Sequence, residues 1–179
     1  YAQQAEDSIY ILSTRNHTLN QYLGFISLFP TNRNINKAWE KVYQLETSIY
    51  SFDTFRKFSD KYPLFPNRQE VEQDMDLSKR YYFPFLKDSL YGYADSSNMK
   101  IKIAPRFTDA SPFSEGMAVV QLPCDKTDCP YSYVTMRGDL LENYPWSEAN
   151  DFHDGLALAA MGNCNLDSCK YGFINRFGE

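Results

Sequence analysis

Apolar residues at helical spacing mark the first eighty residues, and they occur in two copies 33 residues apart. Each copy has aromatic or aliphatic residues at i, i+3 and i+6 and then an aromatic-proline pair, which predicts an amphipathic helix that ends at the proline. The matched positions are Leu19, Tyr22, Phe25 and Phe29-Pro30 in the first copy, and Phe52, Phe55, Phe58 and Tyr62-Pro63 in the second.

The predicted helix caps repeat in the same register. Thr18 and Ser51 stand at the N-cap positions of the two matched helices. Asn34 and Asn67 stand at those of two partner helices, and Glu70 completes an Asn-x-x-Glu arrangement. These side chains satisfy the first backbone N–H groups of a helix. The matched caps support two copies of one helical hairpin.

The helix between the two copies has an apolar face made of Ala38, Val42, Leu45 and Ile49, with Trp39 beside it as a packing residue. Residues 1–80 are therefore interpreted as an array of antiparallel helix pairs, in which residues 2–14 form the tail of a preceding repeat. The alternative is an irregular helical bundle.

The second half of the chain changes to strand-like alternation with a period of forty residues. An aromatic-x-aromatic-aliphatic segment recurs three times, and two further motifs recur twice. The recurring segments are Tyr91-Gly-Tyr-Ala94, Tyr131-Ser-Tyr-Val134 and Tyr171-Gly-Phe-Ile174, then Phe107-Thr-Asp-Ala110 with Trp146-Ser-Glu-Ala149, and Phe113-Ser-Glu-Gly-Met-Ala-Val119 with Phe152-His-Asp-Gly-Leu-Ala-Leu158. Stacked repeats of this length present surfaces to partners more often than they perform chemistry.

Within the first β repeat the pattern predicts three strands and two turns. Tyr91–Asp95 is a first strand, Ser96-Ser97-Asn98 a turn, Lys100–Ile103 a second strand that stops at Pro105, and residues 117–122 a third strand after the Glu115-Gly116 turn. The second repeat follows the same course, with Arg137-Gly138-Asp139 as its first turn. Each repeat is thus predicted to form a three-stranded meander.

These patterns predict an α+β fold of antiparallel helical-hairpin repeats followed by β-meander repeats. The predicted domains are helical repeats in residues 1–80, a packed linker in 81–90, and β repeats in 91–130, 131–170 and, in part, 171–179. The linker is rich in aromatic residues, so we expect it to be packed rather than solvated. A β period of forty residues is also the size of a propeller blade, so a propeller fragment is the rival architecture. Because the chain ends inside a third copy, either it is truncated or its last strand pairs onto the preceding repeat as a cap, and we expect truncation.

The β half resembles the WG repeat, also called the KWG repeat, of bacterial proteins. The resemblance rests on the aromatic-Gly-aromatic-aliphatic-Asp strand, on Pro-x-Phe-x-Asp-Ala and above all on Phe-Ser-Glu-Gly-Met-Ala, and it covers residues 91–179. Tyr91, Tyr131 and Tyr171 replace the name-giving tryptophan, and Ser132 replaces one glycine. The helical half resembles the tetratricopeptide-like repeats that often precede such modules. The family resemblance implies β-repeat structure, a bacterial envelope or secreted location, and neither catalytic residues nor a cofactor.

The composition narrows the classes of partner. The chain has 23 acidic and 18 basic residues, for a net charge of -5. A nucleic-acid partner is therefore disfavoured, because binding to nucleic acid depends largely on neutralising phosphate charge. No apolar stretch approaches the roughly 20 residues of a membrane span. The 14 tyrosines and 13 phenylalanines recur at fixed spacing, which suits packing between stacked repeats.

The four cysteines form two pairs that are also forty residues apart. Cys124 and Cys129, like Cys164 and Cys169, flank a four-residue loop between the last strand of one repeat and the first strand of the next. A hairpin brings their Cα atoms within the reach of a disulfide, so we predict the bonds Cys124–Cys129 and Cys164–Cys169. Free thiols and a zinc site built from both hairpins are the alternatives. Disulfides fit an oxidising compartment.

The sequence contains no arrangement that predicts catalysis. His17 and His153 stand at a helix start and at a turn, where surface or capping roles suffice. Acidic pairs such as Asp109 with Glu115, or Glu148 with Asp154, recur in each repeat, as structural positions do and a single active site does not. We therefore expect neither enzyme activity nor a cofactor or metal.

The leading hypothesis is a non-catalytic module that binds a protein or peptide, located in the bacterial cell envelope or secreted, including as a periplasmic lipoprotein whose anchor lies outside this chain. The alternatives are a glycan-binding protein that uses exposed Tyr91, Tyr131 or Trp146, and a structural spacer. A glycan site would leave these rings exposed in a row, whereas core packing would bury them. The identity of the partner and the oligomeric state do not follow from the sequence.

Overall fold

The structure is a computed structural model that describes residues 2–125, 129–141, 145–164 and 168–179. Five helices precede three small antiparallel sheets, so the α+β prediction is confirmed. The helices are α1 (Ala2–Ser13), α2 (Leu19–Leu28), α3 (Ile35–Glu46), α4 (Phe52–Lys61) and α5 (Arg68–Leu77). The strands are β1 (Tyr82–Lys87), β2 (Leu90–Asp95), β3 (Ile101–Phe107), β4 (Asp109–Ala110), β5 (Met117–Gln121), β6 (Tyr131–Thr135), β7 (Glu148–Ala149), β8 (Leu156–Met161) and β9 (Lys170–Asn175).

The chain divides into two compact units. One consists of Tyr1–Ser48 and Asp53–Gln73, and the other of Ile49–Phe52 and Asp74–Glu179. The second unit therefore contains the nine strands found among the described residues, together with residues 49–52 and the last turn of α5 from the helical half. The segment 81–90, which the sequence predicts to be a packed linker, contains β1, the partner strand of β2.

In the helical unit most of the predicted aromatic positions are buried, while Phe29 is half-buried. Tyr22 and Phe25 of α2, and Phe55 and Phe58 of α4, lie in the core, because residues three apart fall on one face of a helix. The side chain of Thr18 accepts a hydrogen bond from the backbone N–H of Gln21 and caps α2 as predicted.

Two predictions about α3 need correction. The helix ends at Glu46, so Ile49 lies outside it, and both Leu45 and Ile49 are exposed, whereas Tyr43 is buried beside Ala38 and Val42. Tyr43 takes the place of Leu45 because its ring packs against the phenylalanines of α4, within 5.1 Å for the nearest pair of centroids.

Asn34 precedes α3 at the N-cap position but makes no side-chain cap bond. Its Nδ2 donates to Asp7 Oδ1 at 2.8 Å instead, so the side chain connects two helices. At the start of α5, Asn67 Nδ2 donates to Glu70 Oε2 at 2.7 Å, so the predicted Asn-x-x-Glu pair does form a side-chain contact.

The three sheets have the orders β1-β2-β3, β4-β5-β6 and β7-β8-β9, here called sheets A, B and C. The prediction of one meander inside each repeat is wrong, since β5 pairs with β6, the first strand of the next repeat, and not with β3. Sheets B and C thus cross the boundary between two repeats. In sheet A, β1, which precedes the first repeat, takes the place that β5 and β8 take in sheets B and C.

Pro105 does not stop the pairing of β3, contrary to the prediction. The strand continues to Phe107, which lies opposite Tyr91, and the ladder shifts register between Tyr91 and Tyr93. Sheet A places β3 at its edge, where a proline removes no ladder hydrogen bond. In the second repeat Val134 bridges Leu140 and Tyr131 bridges Trp146; the residues 142–144 of the predicted second strand lie outside the described part of the chain.

The predicted turns are present, and three of them share one chemistry. Asp95, Thr135 and Asn175 end the first strands of successive repeats, and each side chain accepts a hydrogen bond from the backbone N–H two residues later, at distances of 2.9, 3.2 and 2.9 Å. Short polar side chains that fold back onto the backbone in this way form Asx and ST turns. Hydrogen bonds from Ser97 also hold the pKa of the Asp95 carboxyl below its usual value.

Candidate functional site

Sheet B lies between two hydrophobic cores, because successive residues of a strand point to opposite faces. Ala118, Val120 and Val134 belong to the core shared with sheet A, where Tyr93, Ile103 and Phe107 are buried. Met117, Val119 and Tyr133 belong to the next core, shared with sheet C, where Trp146, Phe152 and Ile174 are buried. The strand β6, which is the first strand of the second repeat, thus contributes one face to the core before it and one face to the core after it.

Sheet C packs against a hydrophobic core on one face only. Ala157, Ala159 and Ile174 are buried in the core shared with sheet B. The opposite face carries Leu156, Leu158, Tyr171 and Phe173, and these four residues are called here the outer face of sheet C. Leu158 lies opposite Phe173 across the ladder, so the two side chains share that face.

Three of the four outer-face residues are buried at the matching positions of the earlier repeats, and the counterparts of Tyr171 are half-buried. Phe173 corresponds to Tyr93 and Tyr133, which are both fully buried, yet Phe173 itself is 70% exposed. Leu156 corresponds to Met117, which is 3% exposed, and is itself 46% exposed. The outer face is therefore a core-type surface that is not covered by the described residues.

The strand β9 stands at the edge of sheet C, beside β8. In the earlier repeats the equivalent strands β2 and β6 are paired on both sides, β2 by β1 and β3, and β6 by β5 and the bridges at Leu140 and Trp146. The described residues place no strand on the second side of β9. An unpaired edge presents backbone N–H and C=O groups that accept another strand.

A row of turns runs beside the cores and connects the repeats. Glu115 Oε1 and Oε2 accept hydrogen bonds from the backbone N–H groups of Asp154 and Gly155, at 2.9 and 2.7 Å, and Ser114 Oγ donates to the carbonyl of Phe152 at 2.6 Å. Asp154 is the copy of Glu115 in the second repeat. Its carboxylate is exposed and has no hydrogen-bond partner among the described residues.

The strongest charge cluster has a structural role. Arg137 Nη2 donates to Asp74 Oδ1 at 2.6 Å, Arg176 Nη2 lies 4.0 Å from Asp74 Oδ2, and the Arg176 guanidinium lies 5.3 Å from the ring centroid of Tyr50. Burial raises the pKa of the Tyr50 hydroxyl above its usual range. Because the two arginines follow β6 and β9, one carboxylate holds the turns of two successive repeats.

The cysteines lie where the sequence places them, in the connections β5–β6 and β8–β9. The Sγ atoms are 2.00 Å apart in the Cys124–Cys129 pair and 2.09 Å apart in the Cys164–Cys169 pair, with Cα–Cα distances of 5.9 and 4.5 Å. The loop centres 126–128 and 165–167 lie outside the described residues.

The acidic residues and histidines considered as catalytic candidates are spread over short strands and turns. Asp109 Oδ1 accepts from the backbone N–H of Ala110, and Glu148 Oε2 accepts from the Tyr171 hydroxyl at 2.9 Å. His17 Nδ1 lies 2.8 Å from the Tyr22 hydroxyl, and His153 is exposed at a turn. Among the described residues, no three His, Cys, Asp or Glu side chains are grouped to hold a metal ion, and no helix is long and apolar enough to cross a bilayer.

The aromatic residues proposed for glycan binding do not form an exposed row. Trp146 is 6% exposed and belongs to a core, while Tyr91 and Tyr131 are half-buried and pack against the cores of their repeats. Sequence reasoning did not single out Phe173 or Gly172, and it considered Asp154 only as a member of an acidic pair. Alignment of the repeats could have identified these residues. Each matches a residue of an earlier repeat, and that earlier residue contacts the segment that follows it in the chain.

Comparison with known proteins bears on the first β repeat. No curated protein and no solved structure is significantly similar to the chain. The family model described as WG containing repeat matches residues 91–122, which run from β2 through β5. This match supports the first β repeat of the chain as a WG repeat.

Proposed function

We propose that this chain is a non-catalytic repeat protein that binds a protein or peptide partner. The observation that carries the proposal is the outer face of sheet C, where Phe173 is 70% and Tyr171 is 57% exposed although their counterparts are buried or half-buried. A contiguous exposed apolar surface rimmed by polar residues marks an interaction site. Asn175 and Asp154 supply such polar groups beside it.

Two features favour a polypeptide over a glycan as the ligand. The edge of β9 offers backbone hydrogen bonds in the spacing of another strand, which a polypeptide matches and a glycan does not. The aromatic rings that would stack on a sugar are divided between cores, as described above for Trp146. Glycan binding remains the alternative, with Tyr171 as its exposed ring.

The cysteine pairs and the helical period bear on the location of the protein and on the origin of its helical unit. We propose an oxidising location, the bacterial envelope or the extracellular space, on the basis of the two closely spaced cysteine pairs. The 33-residue period of the helical unit supports a tetratricopeptide-like origin for it. The proposed location is tested independently of the ligand, by thiol counting and by fractionation of the source cells.

A photo-crosslinking experiment tests the proposed function. A benzoylphenylalanine is placed at position 173 and, as the matched control, at Leu64, which is also exposed but lies in the helical unit. We expect ultraviolet light to produce a protease-sensitive adduct in the source cells only from position 173. An adduct that carries carbohydrate instead would favour the glycan alternative, and equal labelling from both positions would reject a specific site.

A further inference from the structure

We propose that the open edge of sheet A binds an extended acidic segment of a partner protein. This edge is formed by β3 and the residue before it, and its exposed basic residues Lys100, Lys102 and Arg106 are called here the basic edge. The basic edge belongs to the first β repeat, and the inference does not depend on the outer face of sheet C. Its support comes from the charge, the exposed apolar side chains and the backbone of β3.

Positive charge is concentrated in sheet A and the residues next to it. Residues 79–107 contain six basic and two acidic side chains, for a net charge of +4, although the whole chain has a net charge of -5. The six basic residues are Lys79, Arg80, Lys87, Lys100, Lys102 and Arg106. A local field of this sign attracts a negatively charged partner and speeds its association.

The two lysines of the basic edge differ in their pairing from the nearby Arg80. The guanidinium of Arg80 lies 3.3 Å from a carboxylate oxygen of Asp76 and 3.8 Å from one of the buried Asp95. In contrast, Lys100 and Lys102 are exposed, and neither forms an ion pair with a described residue. Their charges are therefore available to the carboxylates of a partner.

Exposed apolar side chains lie beside these charges. Met99 is 69% and Ile101 is 53% exposed. In the ladder Ile101 lies opposite Ala94, and Ala94 lies opposite Phe83. The three side chains therefore share one face of sheet A, and the neighbouring Tyr93 points to the core on the other face. An aliphatic side chain of the partner can pack at Ile101 while acidic side chains next to it meet the lysines.

The backbone of β3 provides the third part of the surface. Sheet A has the order β1-β2-β3, and the described part of the chain places no strand on the second side of β3. An extended peptide binds such an edge through main-chain hydrogen bonds, and side chains at alternate positions give specificity. Because Pro105 has no backbone N–H, the pairing is restricted to the residues before it.

The charge of the edge decides between possible occupants. Lysine and proline at an open edge oppose pairing with a strand of the same kind, so two basic edges from two copies of this chain would repel each other. An acidic strand turns the repulsion into attraction, and the same residues thus exclude one partner and select another. An anionic membrane would match the lysines but not the backbone groups of β3, whereas an acidic polypeptide matches both.

The experiment uses the whole chain and a short, labelled and capped peptide in which Glu and Val alternate. The control peptide has Gln in place of Glu. Binding is followed by fluorescence anisotropy, and hydrogen exchange of the β3 amides is measured with and without the peptide. We expect saturable binding of the Glu peptide, slower exchange in β3, and weaker binding as salt is added, because salt screens exposed ion pairs. The Gln peptide should bind more weakly at every salt concentration.

The decisive variant combines Lys100→Gln with Lys102→Gln, and its matched control combines Lys37→Gln with Lys57→Gln. Each variant removes two exposed lysines that form no ion pair with a described residue, so both should fold and both change the net charge equally. We expect the first variant to weaken binding of the Glu peptide about threefold to tenfold, the effect of two exposed ion pairs, and the control to bind like the original chain. Ile101→Thr should also weaken binding, without changing its salt dependence.

Several results would overturn the inference. They are the absence of saturable binding, equal affinities for the Glu and Gln peptides, equal affinities for the two lysine variants, and protection outside β3. Tighter binding of phosphatidylglycerol vesicles or of a single-stranded oligothymidylate, lost in the same variant, would assign the basic edge to lipid or nucleic acid. A dimer of the original chain that this variant abolishes would assign it to a second copy. Each of these results leaves the adduct expected from position 173 unaffected, so the inference and the proposed function fail separately.

Discussion

The stacked arrangement of the cores predicts that two residues at the same position of successive repeats differ sharply in their contribution to stability. Tyr133 and Phe173 are copies of one another on β6 and β9. Tyr133 is fully buried, its ring packs against Phe152, and its hydroxyl donates to the carbonyl of Asn150 at 2.9 Å. Phe173 lies on the outer face of sheet C. We compare Tyr133→Ala with Phe173→Ala.

The magnitudes follow from burial. Removing a buried aromatic ring from a core costs about 3–5 kcal/mol, to which the unpaired carbonyl of Asn150 adds about 1 kcal/mol. Full burial of a phenylalanine side chain is worth roughly 1.5–3 kcal/mol. Because Phe173 hides only a third of its surface, its replacement should cost less than about 1 kcal/mol. The expected difference between the two variants is therefore at least about 2 kcal/mol.

The assay is urea unfolding followed by tryptophan fluorescence in a Trp39→Phe background. Trp146 belongs to the core of Tyr133, and Trp39 lies in the helical unit, so the remaining tryptophan reports the β unit alone. Fitted slopes should agree among the variants, so that shifts in midpoint measure stability. If Phe173→Ala lost as much stability as Tyr133→Ala, the outer face would be packed in solution. That result would refute the exposed site and the function proposed from it.

Three further predictions concern the network, the buried tyrosine and the cysteines. Asp74→Ala removes the carboxylate that contacts Arg137 and the largely buried Arg176, and should lower the free energy of unfolding by about 3–5 kcal/mol. The control Asp76→Ala removes only the exposed ion pair between Asp76 and Arg80, and should cost less than about 1 kcal/mol. Equal urea midpoints for the two variants would contradict this prediction. Burial raises the pKa of the Tyr133 hydroxyl from 10.0 to about 12, so the unfolded chain loses this proton at lower pH than the folded chain does. The free energy of unfolding should therefore fall as pH rises from 10 to 12. Urea midpoints measured across that range should fall less steeply for Tyr133→Phe than for the original chain. Intact mass after alkylation in denaturant without reductant should show no modified thiol if both cysteine pairs are bonded, and each bond should stabilise the protein by about 2 kcal/mol; four alkylated thiols would reject the bonds.

Local features were predictable from the sequence with good detail. The helices around Tyr22 and Phe55 follow from apolar spacing, and the Thr18 cap follows from the chemistry of a helix start. The turns after Asp95 and at Gly138 follow from side chains and dihedral angles available within a few residues. The forty-residue register also places both cysteine pairs in hairpin connections. In all these cases the residues that interact lie close together in the chain.

Pairing and burial beyond one repeat were not predictable in the same way. The sequence indicates three strands in each repeat, but it does not say that β5 pairs with β6 and leaves β3 at an edge. Apolar spacing likewise favours Leu45 on the buried face of α3, while the ring of Tyr43 occupies that place. Asp74 gives no sign in the sequence of its two arginines, which are 63 residues away in the nearer case.

The sequence by itself determined the class of elements, their period and their turns, because hydrogen bonds and side-chain periodicity within a few residues decide them. Only the tertiary structure decided which copies of a residue are buried. Phe173 and Tyr133 have the same local pattern, and a core forms on Tyr133 because later strands cover it. Burial depends on such distant segments, whose approach is a property of the packed chain and not of the local sequence. The candidate site is the position at which that covering segment is missing from the described residues.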